Sequence, residues 1–496
     1  MSAAARRSPT QTGVGTHYLR YASSGVLVML AGLVSFPLLT RLLDNTQYGI
    51  LGYYETWVMI AIAVAKLGAQ HAIVRFYPYG GDAQAMRRFS TNLFLLPLLV
   101  SGAVWAVGIA VMGGLAWMRA LEFSPVLWCA LLAIPLNVFI SLVQMVLRAG
   151  ERSDLLSSTR VIWRWMELAG MVGAVLLLER SALAAYGGKL LAAGLVVAFY
   201  LRWVLRHLEF SRSEVDTRAF AQSVRYGMPL VINEIATVLL ISIDRVMLKE
   251  LTGDYAAVGI YTIGYSLALQ VSMLMHATLS ESFVPVANRR FETEGPAAVR
   301  ALKRQVLFPM TYAAVGVAMA IICVGTDAIV AVSGPGKVLS GPVFVWIGAQ
   351  YALYPLFDIA GYGLLLHKRS MTVLWLTLIA ALGNIALNLW WVPSLGLMGA
   401  VYATTVCYGF LGVSSWLLCP RDLRVLPDLR TVLTALLGAV LFWCALQASG
   451  IATLANVWLR LFAAGGLWVL LYLGSVLSDP RMRQWLIQLR RQRAGG

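Results

Sequence analysis

Charge is what this chain of 496 residues has least of. Asp, Glu, Lys and Arg together make up 12% of it and hydrophobic residues 59%, against roughly 25% charged residues in a soluble globular domain. A soluble chain of this length would split into several domains, each with its own polar surface. The residues to cover such surfaces are missing, which excludes a soluble enzyme or binding module. Cysteine is scarce as well. Cys129, Cys323, Cys407, Cys419 and Cys444 lie in or at the ends of apolar blocks without metal-like pairing and read as small buried hydrophobes. No phosphate-cradling P-loop, zinc spacing or nucleophile elbow occurs, and Gly187-Gly188 is no nucleotide cradle. Neither a metal nor a cofactor is expected, nor ATP hydrolysis or other catalysis.

What is present comes in apolar blocks of about 20 residues, the length an α-helix needs to cross a hydrocarbon core roughly 30 Å thick. The blocks lack the alternation of barrel strands, so helix is the state expected. Spans are predicted at 21–40, 48–70, 91–114, 124–147, 161–178 and 182–203, then at 226–249, 257–281, 306–331, 342–366, 371–391 and 396–418, with a last pair at 431–449 and 457–477. The first block is long enough to span, and no small-residue cleavage site follows it, so it does not read as a signal peptide. The fold class is therefore an all-α integral membrane protein of about 14 transmembrane helices.

The formal charge of +16 does not point to nucleic acid, because the basic residues sit between apolar blocks rather than on one face. They alternate instead. With the N-terminus inside, 30 of the 39 Lys and Arg fall in inside segments and 7 outside, among them Arg41, Arg119 and Arg245, while Lys66 and Lys189 fall within spans. That bias predicts both termini on the cytoplasmic side. Outside loops are all short, and the longest inside connection is about 20 residues, so no soluble catalytic domain is hidden here.

The chain also echoes itself. Tyr48-Gly49-Ile50 follows the first span, and Val258-Gly259-Ile260-Tyr261 follows the seventh; Tyr186-Gly187-Gly188 in the sixth parallels Gly396-Leu397-Met398-Gly399-Ala400 in the twelfth. Both echoes lie six spans apart in the same orientation, which implies a parallel duplication. The expected organisation is a tail (1–20), an N-lobe of six spans (21–204), a linker (205–225), a C-lobe of six spans (226–419), two further spans (430–477) and a basic tail (478–496).

Three segments carry a family resemblance: Phe36-Pro37-Leu38-Leu39-Thr40-Arg41-Leu42-Leu43 with Tyr48-Gly49; Ile243-Asp244-Arg245-Val246-Met247-Leu248 with Val258-Gly259-Ile260-Tyr261; and Gly383-Asn384-Ile385-Ala386-Leu387-Asn388 with Val392-Pro393 and the stretch Gly396 to Thr404. Together they resemble the Wzx-type polysaccharide flippases of the multidrug/oligosaccharidyl-lipid/polysaccharide exporter superfamily. The resemblance implies movement of an undecaprenyl-pyrophosphate-linked oligosaccharide from the cytoplasmic to the periplasmic leaflet of a bacterial inner membrane. Its partners would be that lipid-linked substrate, membrane lipids, and polysaccharide polymerase and export proteins. The alternative within the superfamily is a cation-coupled multidrug or small-molecule antiporter. A membrane polymerase or ligase is disfavoured by the short outside loops.

A polar, anionic head crosses hydrocarbon only through a hydrated cationic cavity, so charged and aromatic residues inside spans are the candidates. Glu55 and Lys66 are eleven residues apart, about three turns and nearly one helix face. Lys66 either attracts phosphate as a point charge or snorkels to the interface. Glu234 and Arg245 repeat that spacing. Glu234 belongs to an ion or proton relay, and Arg41 and Arg245 guard the outer mouth or, with Asp44 and Asp244, are interfacial charges that stop their helices. Tyr351, Tyr354 and Asp358 share a face that suits a sugar or ordinary helix packing. His276 carries protons near neutral pH or is a satisfied buried side chain. Lys189 lines a cavity or meets Glu167, which also has Arg164 three residues away. Glu281 reads as an interfacial cap.

Overall fold

Backbone groups in hydrocarbon have no water to bond, so a block of twenty apolar residues satisfies them by closing its own helical ladder. The computed structural model describes residues 14–118 and 124–494, and among them no strand occurs. The helices are α1 (Val14–Leu42), α2 (Asn45–Ala65), α3 (Ala69–Arg75) and α4 (Ala83–Phe89). A π-helical stretch, Ser90–Leu95, then leads into α5 (Leu96–Trp117). α6 (Pro125–Ala149), α7 (Ser153–Leu177), α8 (Ala182–His207) and α9 (Thr217–Thr252) follow. Next come α10 (Tyr255–Thr293), α11 (Pro296–Ser333), α12 (Gly341–Gly361), α13 (Ser370–Leu395) and α14 (Leu397–Leu418). The chain ends with α15 (Leu429–Ala448), α16 (Val457–Trp468), α17 (Gly474–Ser478) and α18 (Pro480–Ala494). Residues 1–13, residues 119–123 with Arg119, residues 495–496 and the side chain of Glu281 lie outside the described residues.

Thirteen of these helical segments are long and apolar enough to cross a membrane. α7, at 25 residues, is the remaining long helix, more polar because it holds Asp154, Arg160, Arg164 and Glu167. The protein is thus a multi-pass α-helical membrane protein, with the expected span count.

Individual spans differ from expectation where helix and hydrocarbon part company. α9, α10 and α11 run 36, 39 and 38 residues, about 55 Å each, well beyond a 30 Å core. The basic segment between the eighth and ninth spans is therefore helix broken only at Glu294-Gly295, not a loop. Arg and Lys are good helix formers, so loss of hydropathy did not mean loss of helix. Conversely, the second span stops at Ala65 rather than residue 70. Leu67 and Gly68 both take positive φ, 51° and 74°, and the chain restarts as α3. The basic C-terminal segment forms α18.

Packing divides the chain into two units, Met1–Leu43 with Tyr54–Val238, and Asp44–Tyr53 with Leu239–Gly496. In the first, α7 lies along α1 and α8, and α6 contacts α8 and α3. Its core includes Ile140, Leu142, Val143, Leu147, Tyr186 and Tyr200, each fully buried. In the second, α12 packs between α10, α11 and α14, and α15 and α16 lean on α11. There Tyr312, Val315, Ala435, Ala439 and Tyr472 form one apolar cluster.

Small residues set these approaches, as expected where lipid supplies no hydrophobic drive between helices. A Cβ on Gly188 would stand 2.0 Å from the Gly170 carbonyl oxygen, and one on Gly399 2.5 Å from that of Trp391. The echoed glycines thus do the same work, seating α8 on α7 and α14 on α13. The other echo closes on itself inside the second unit. A Cβ on Gly49 would meet the Tyr255 oxygen at 1.8 Å, and a Cβ on Gly259 the Asn45 oxygen at 1.8 Å. Each glycine touches the carbonyl four residues before its counterpart, the reciprocal contact that two copies of one motif make about a twofold.

Candidate functional site

The break between α2 and α3 builds the site. Leu67 and Gly68 turn the chain through the left-handed region, which glycine enters freely and leucine only under constraint. Gly68 sits against Gly227 of α9; a Cβ on either would lie within 2.8 Å of the other's backbone. That contact brings α9 close enough for the residues flanking Gly68 to reach Glu234, two turns beyond Gly227 on the same face. Lys66 Nζ lies 2.5 Å from Glu234 Oε1, and Gln70 Nε2 donates to Glu234 Oε2 at 2.6 Å. His71 Nε2 stands 4.0 Å from the same carboxylate.

These groups line a cavity of about 960 Å³ within the first unit, walled by α2–α3, α6 and α9. Arg75, Arg148, Tyr79 and Tyr226 also line it, and all four are exposed. Lys66 is 11% exposed, so the ammonium is held inside while the arginines sit in the open. Burial pushes the His71 imidazole below its ordinary pKa; Glu234 opposes and Lys66 reinforces the shift, which leaves the ring neutral at pH 7. Three fixed cations then face one carboxylate, and the cavity carries a net positive charge. An anion entering it meets two guanidiniums able to grip oxyanions in bidentate fashion.

The remaining candidates fall elsewhere. Glu55 faces Lys189, not Lys66: Lys189 Nζ bonds both its oxygens at 2.7 Å and lies 3.5 Å from Glu167, which Arg164 holds at 2.8 Å. Two cations and two carboxylates thus balance where α2, α7 and α8 meet. Arg41 is exposed at the end of α1. In the second unit Arg245 is 6% exposed; it reaches the Ile241 carbonyl at 3.3 Å and covers the Tyr265 ring at 4.7 Å.

His276 Nε2 and Asp358 Oδ2 lie 2.8 Å apart, partly open. Tyr354 is half-buried beside them, its ring near both His276 and Tyr408. Tyr351 is buried, its hydroxyl bonded to those of Tyr265 and Tyr408, so it packs rather than faces a ligand. Asp244, invisible as a candidate except for its place in a motif, is fully buried and accepts from Tyr261, Asn388 and Thr404 at 2.6–2.7 Å. Residues from both resemblance segments of the C-terminal half meet in that knot. Lys303 is buried too, donating to the carbonyls of Ala360 and Leu423.

Sequence reasoning found Lys66 and Glu234 but missed Gln70, His71, Arg75 and Arg148 around them. Arg75 and Arg148 are among the 30 basic residues counted in inside segments. The chain breaks at Leu67-Gly68 between Lys66 and Gln70, so helical spacing from Lys66 does not point to the uncharged residues beside it.

Comparison with known proteins gives the chain its context. Residues 16–290 match the family described as polysaccharide biosynthesis protein. A protein of the Lsg locus of Haemophilus influenzae is 24% identical over 255 residues, half of this chain; the chain spans 59% of that relative's length. The structure of the lipid II flippase MurJ in an inward closed conformation superimposes with a TM-score of 0.73 at 11% identity, over 92% of this chain and 98% of that one. An inward-facing multidrug transporter of the MATE family, in the MOP superfamily, gives 0.59 at 15% identity, over 81% and 96%. Both structural likenesses are of fold.

Proposed function

The chain belongs to the polysaccharide biosynthesis protein family, and from that membership we propose that it is a flippase for an undecaprenyl-pyrophosphate-linked oligosaccharide. It carries this substrate from the cytoplasmic to the periplasmic leaflet of the bacterial inner membrane, by alternating access, and so feeds surface or exopolysaccharide synthesis. The observation that carries the reading is the lining of the first-unit cavity. Lys66, Arg75 and Arg148 set three positive charges against Glu234 in a protein otherwise poor in charge. A pyrophosphate in hydrocarbon is prohibitively costly. Here its charge is answered by the cationic lining of the cavity while the prenyl tail stays in lipid. The positive-inside bias supports termini in the cytoplasm. Arg75 and Arg148 then lie at the cytoplasmic ends of their helices, where a lipid-linked precursor is loaded. Polymerase and export proteins follow as downstream partners.

A multidrug antiporter shares the fold, but a cationic drug would meet like charges in this cavity. The test is a deletion strain examined for surface polymer and for undecaprenyl-linked oligosaccharide. The proposal expects polymer to vanish while the complete lipid-linked unit accumulates on the cytoplasmic side, and plasmid-borne wild type to restore both. Normal polymer with only drug resistance lowered would transfer the cavity to an antiporter.

A further inference from the structure

The last span ends at Ser478, and the chain turns at Asp479 into α18. That turn is pinned. Arg481 bonds Asp428 Oδ2 at 2.9 Å and lies 3.4 Å from Asp479, and the Tyr312 hydroxyl donates to Asp479 at 2.8 Å. Asp428 immediately precedes α15, whose span begins at Leu429. Arg481 therefore ties together two span ends on one side of the membrane. Met482 and Trp485, three residues apart, then pack on the cluster of Tyr312, Tyr472 and Val476. The start of α18 is thus held at the depth where hydrocarbon gives way to headgroups, the level that Trp favours.

The rest of α18 combines two kinds of residue that water and hydrocarbon each satisfy only by half. Its sequence holds five arginines and no Asp or Glu. Arg481 is taken up by its two carboxylates. Arg483 donates instead to the carbonyls of Leu477 and Ser478, and the sequence adds Arg490, Arg491 and Arg493. Leu486 and Ile487 are 37% and 51% exposed on the same helix, and Leu429, next to the clasped Asp428, is 70% exposed. A headgroup layer suits such a helix: apolar side chains dip toward the acyl chains while guanidiniums reach outward to phosphate, whose oxygens they match in bidentate fashion. A soluble acidic protein would answer the charge but would leave the exposed leucines at this depth unexplained.

We propose that α18 is an interfacial anchor that binds the headgroups of acidic phospholipids and so ties the ends of α15 and α17 to one leaflet. The inference goes beyond the flippase reading and holds whatever the cavity carries.

The test is hydrogen exchange of the full chain in two kinds of nanodisc, one of phosphatidylcholine alone and one of equal parts phosphatidylcholine and phosphatidylglycerol. Amides of residues 483–494 are expected to exchange at least about tenfold more slowly in the acidic bilayer, because each basic residue near an anionic surface adds attraction. High salt should erase that difference. The triple variant Arg490→Gln, Arg491→Gln, Arg493→Gln should lose it too, while exchange across α15 stays as in wild type. The three positions follow the clasped turn in the chain, so the variant keeps the Arg481 contacts. The wild-type comparison of the two bilayers decides the matter by itself where the variant misfolds. Equal exchange in both bilayers overturns the anchor and leaves an acidic protein as the occupant of this face. A difference that survives the triple substitution or high salt overturns it as well.

Discussion

Lys66 and Glu234 are 11% and 28% exposed and 2.5 Å apart, so each compensates the other's largely buried charge. Removing one partner of a largely buried pair leaves an uncompensated charge, at about 3–5 kcal/mol when burial is complete. Partial exposure brings Lys66→Met down to about 1–3 kcal/mol. The double variant Lys66→Met with Glu234→Gln should recover most of the lost melting temperature and none of the transport, as thermal unfolding beside complementation of polymer export would register. Recovery of both would make the pair purely structural. Lys189 has more at stake, since it answers Glu55 and Glu167 together. Lys189→Met should lower the melting temperature more than Arg164→Met, whose side chain is 41% exposed, and Glu55→Gln should partly rescue it. These pairings also mark how far residues could be read without coordinates. Arg164 and Glu167 meet because three residues of helix separate them. Lys66 and Glu234 lie 168 residues apart, and helical periodicity gives the face of each but not the helix opposite.

Among elements, the glycines fix which helix lies against which. The echoes flagged Gly49, Gly188, Gly259 and Gly399 as repeated positions, and each proves to be a backbone crossing. Their geometry predicts a contrast between neighbours: Gly188→Ala meets the Gly170 carbonyl at 2.0 Å, whereas Gly187→Ala meets nothing within 4 Å. Folded yield by size exclusion should collapse for the first and hold for the second. The break at Leu67-Gly68 was hidden, because hydropathy continues across it and only the backbone angle reveals it.

The linker after α8 shows electrostatics acting at this scale. Arg88 bonds Glu214 at 2.6 Å, and Asn92 grips the Glu214 carbonyl and the Asp216 amide at 2.8 and 2.7 Å. The hydrogen bond from Arg88, helped by Gln84, holds the Glu214 carboxyl below its ordinary range. A lowered folded-state pKa means the clasp contributes fully above the ordinary glutamate value of about 4.3 and is lost as pH falls through the lowered one. Protection from hydrogen exchange across residues 209–216, taken relative to the intrinsic rate at each pH, should therefore hold from neutrality down to about pH 4.3 and be lost as pH falls further. Arg88→Gln should remove it already at pH 7.

For the whole molecule, composition alone decided the class. A chain with 12% charge has no way to cover a soluble surface, and apolar blocks of span length leave helix as the sole backbone solution. Thirteen clear spans and the more polar α7 follow from that. The cavity was only half legible. Lys66 and Glu234 stood out because charge inside apolar blocks is conspicuous. Gln70 and Asn233 are uncharged, and Arg75 and Arg148 lie at helix ends among many basic residues, so nothing local set them apart.

The central claim is that this cationic cavity carries an anionic, sugar-bearing lipid across the membrane. Its most direct test is reconstitution of the full chain in proteoliposomes loaded with undecaprenyl-pyrophosphate-linked oligosaccharide, following with time the fraction open to an external glycosidase. Wild type should expose the internal pool, and Arg75→Gln with Arg148→Gln should slow that exposure at least about tenfold, the loss expected when two charge-assisted phosphate contacts go. A double variant that matches wild type, or a wild type that leaves the internal pool untouched, would contradict the account.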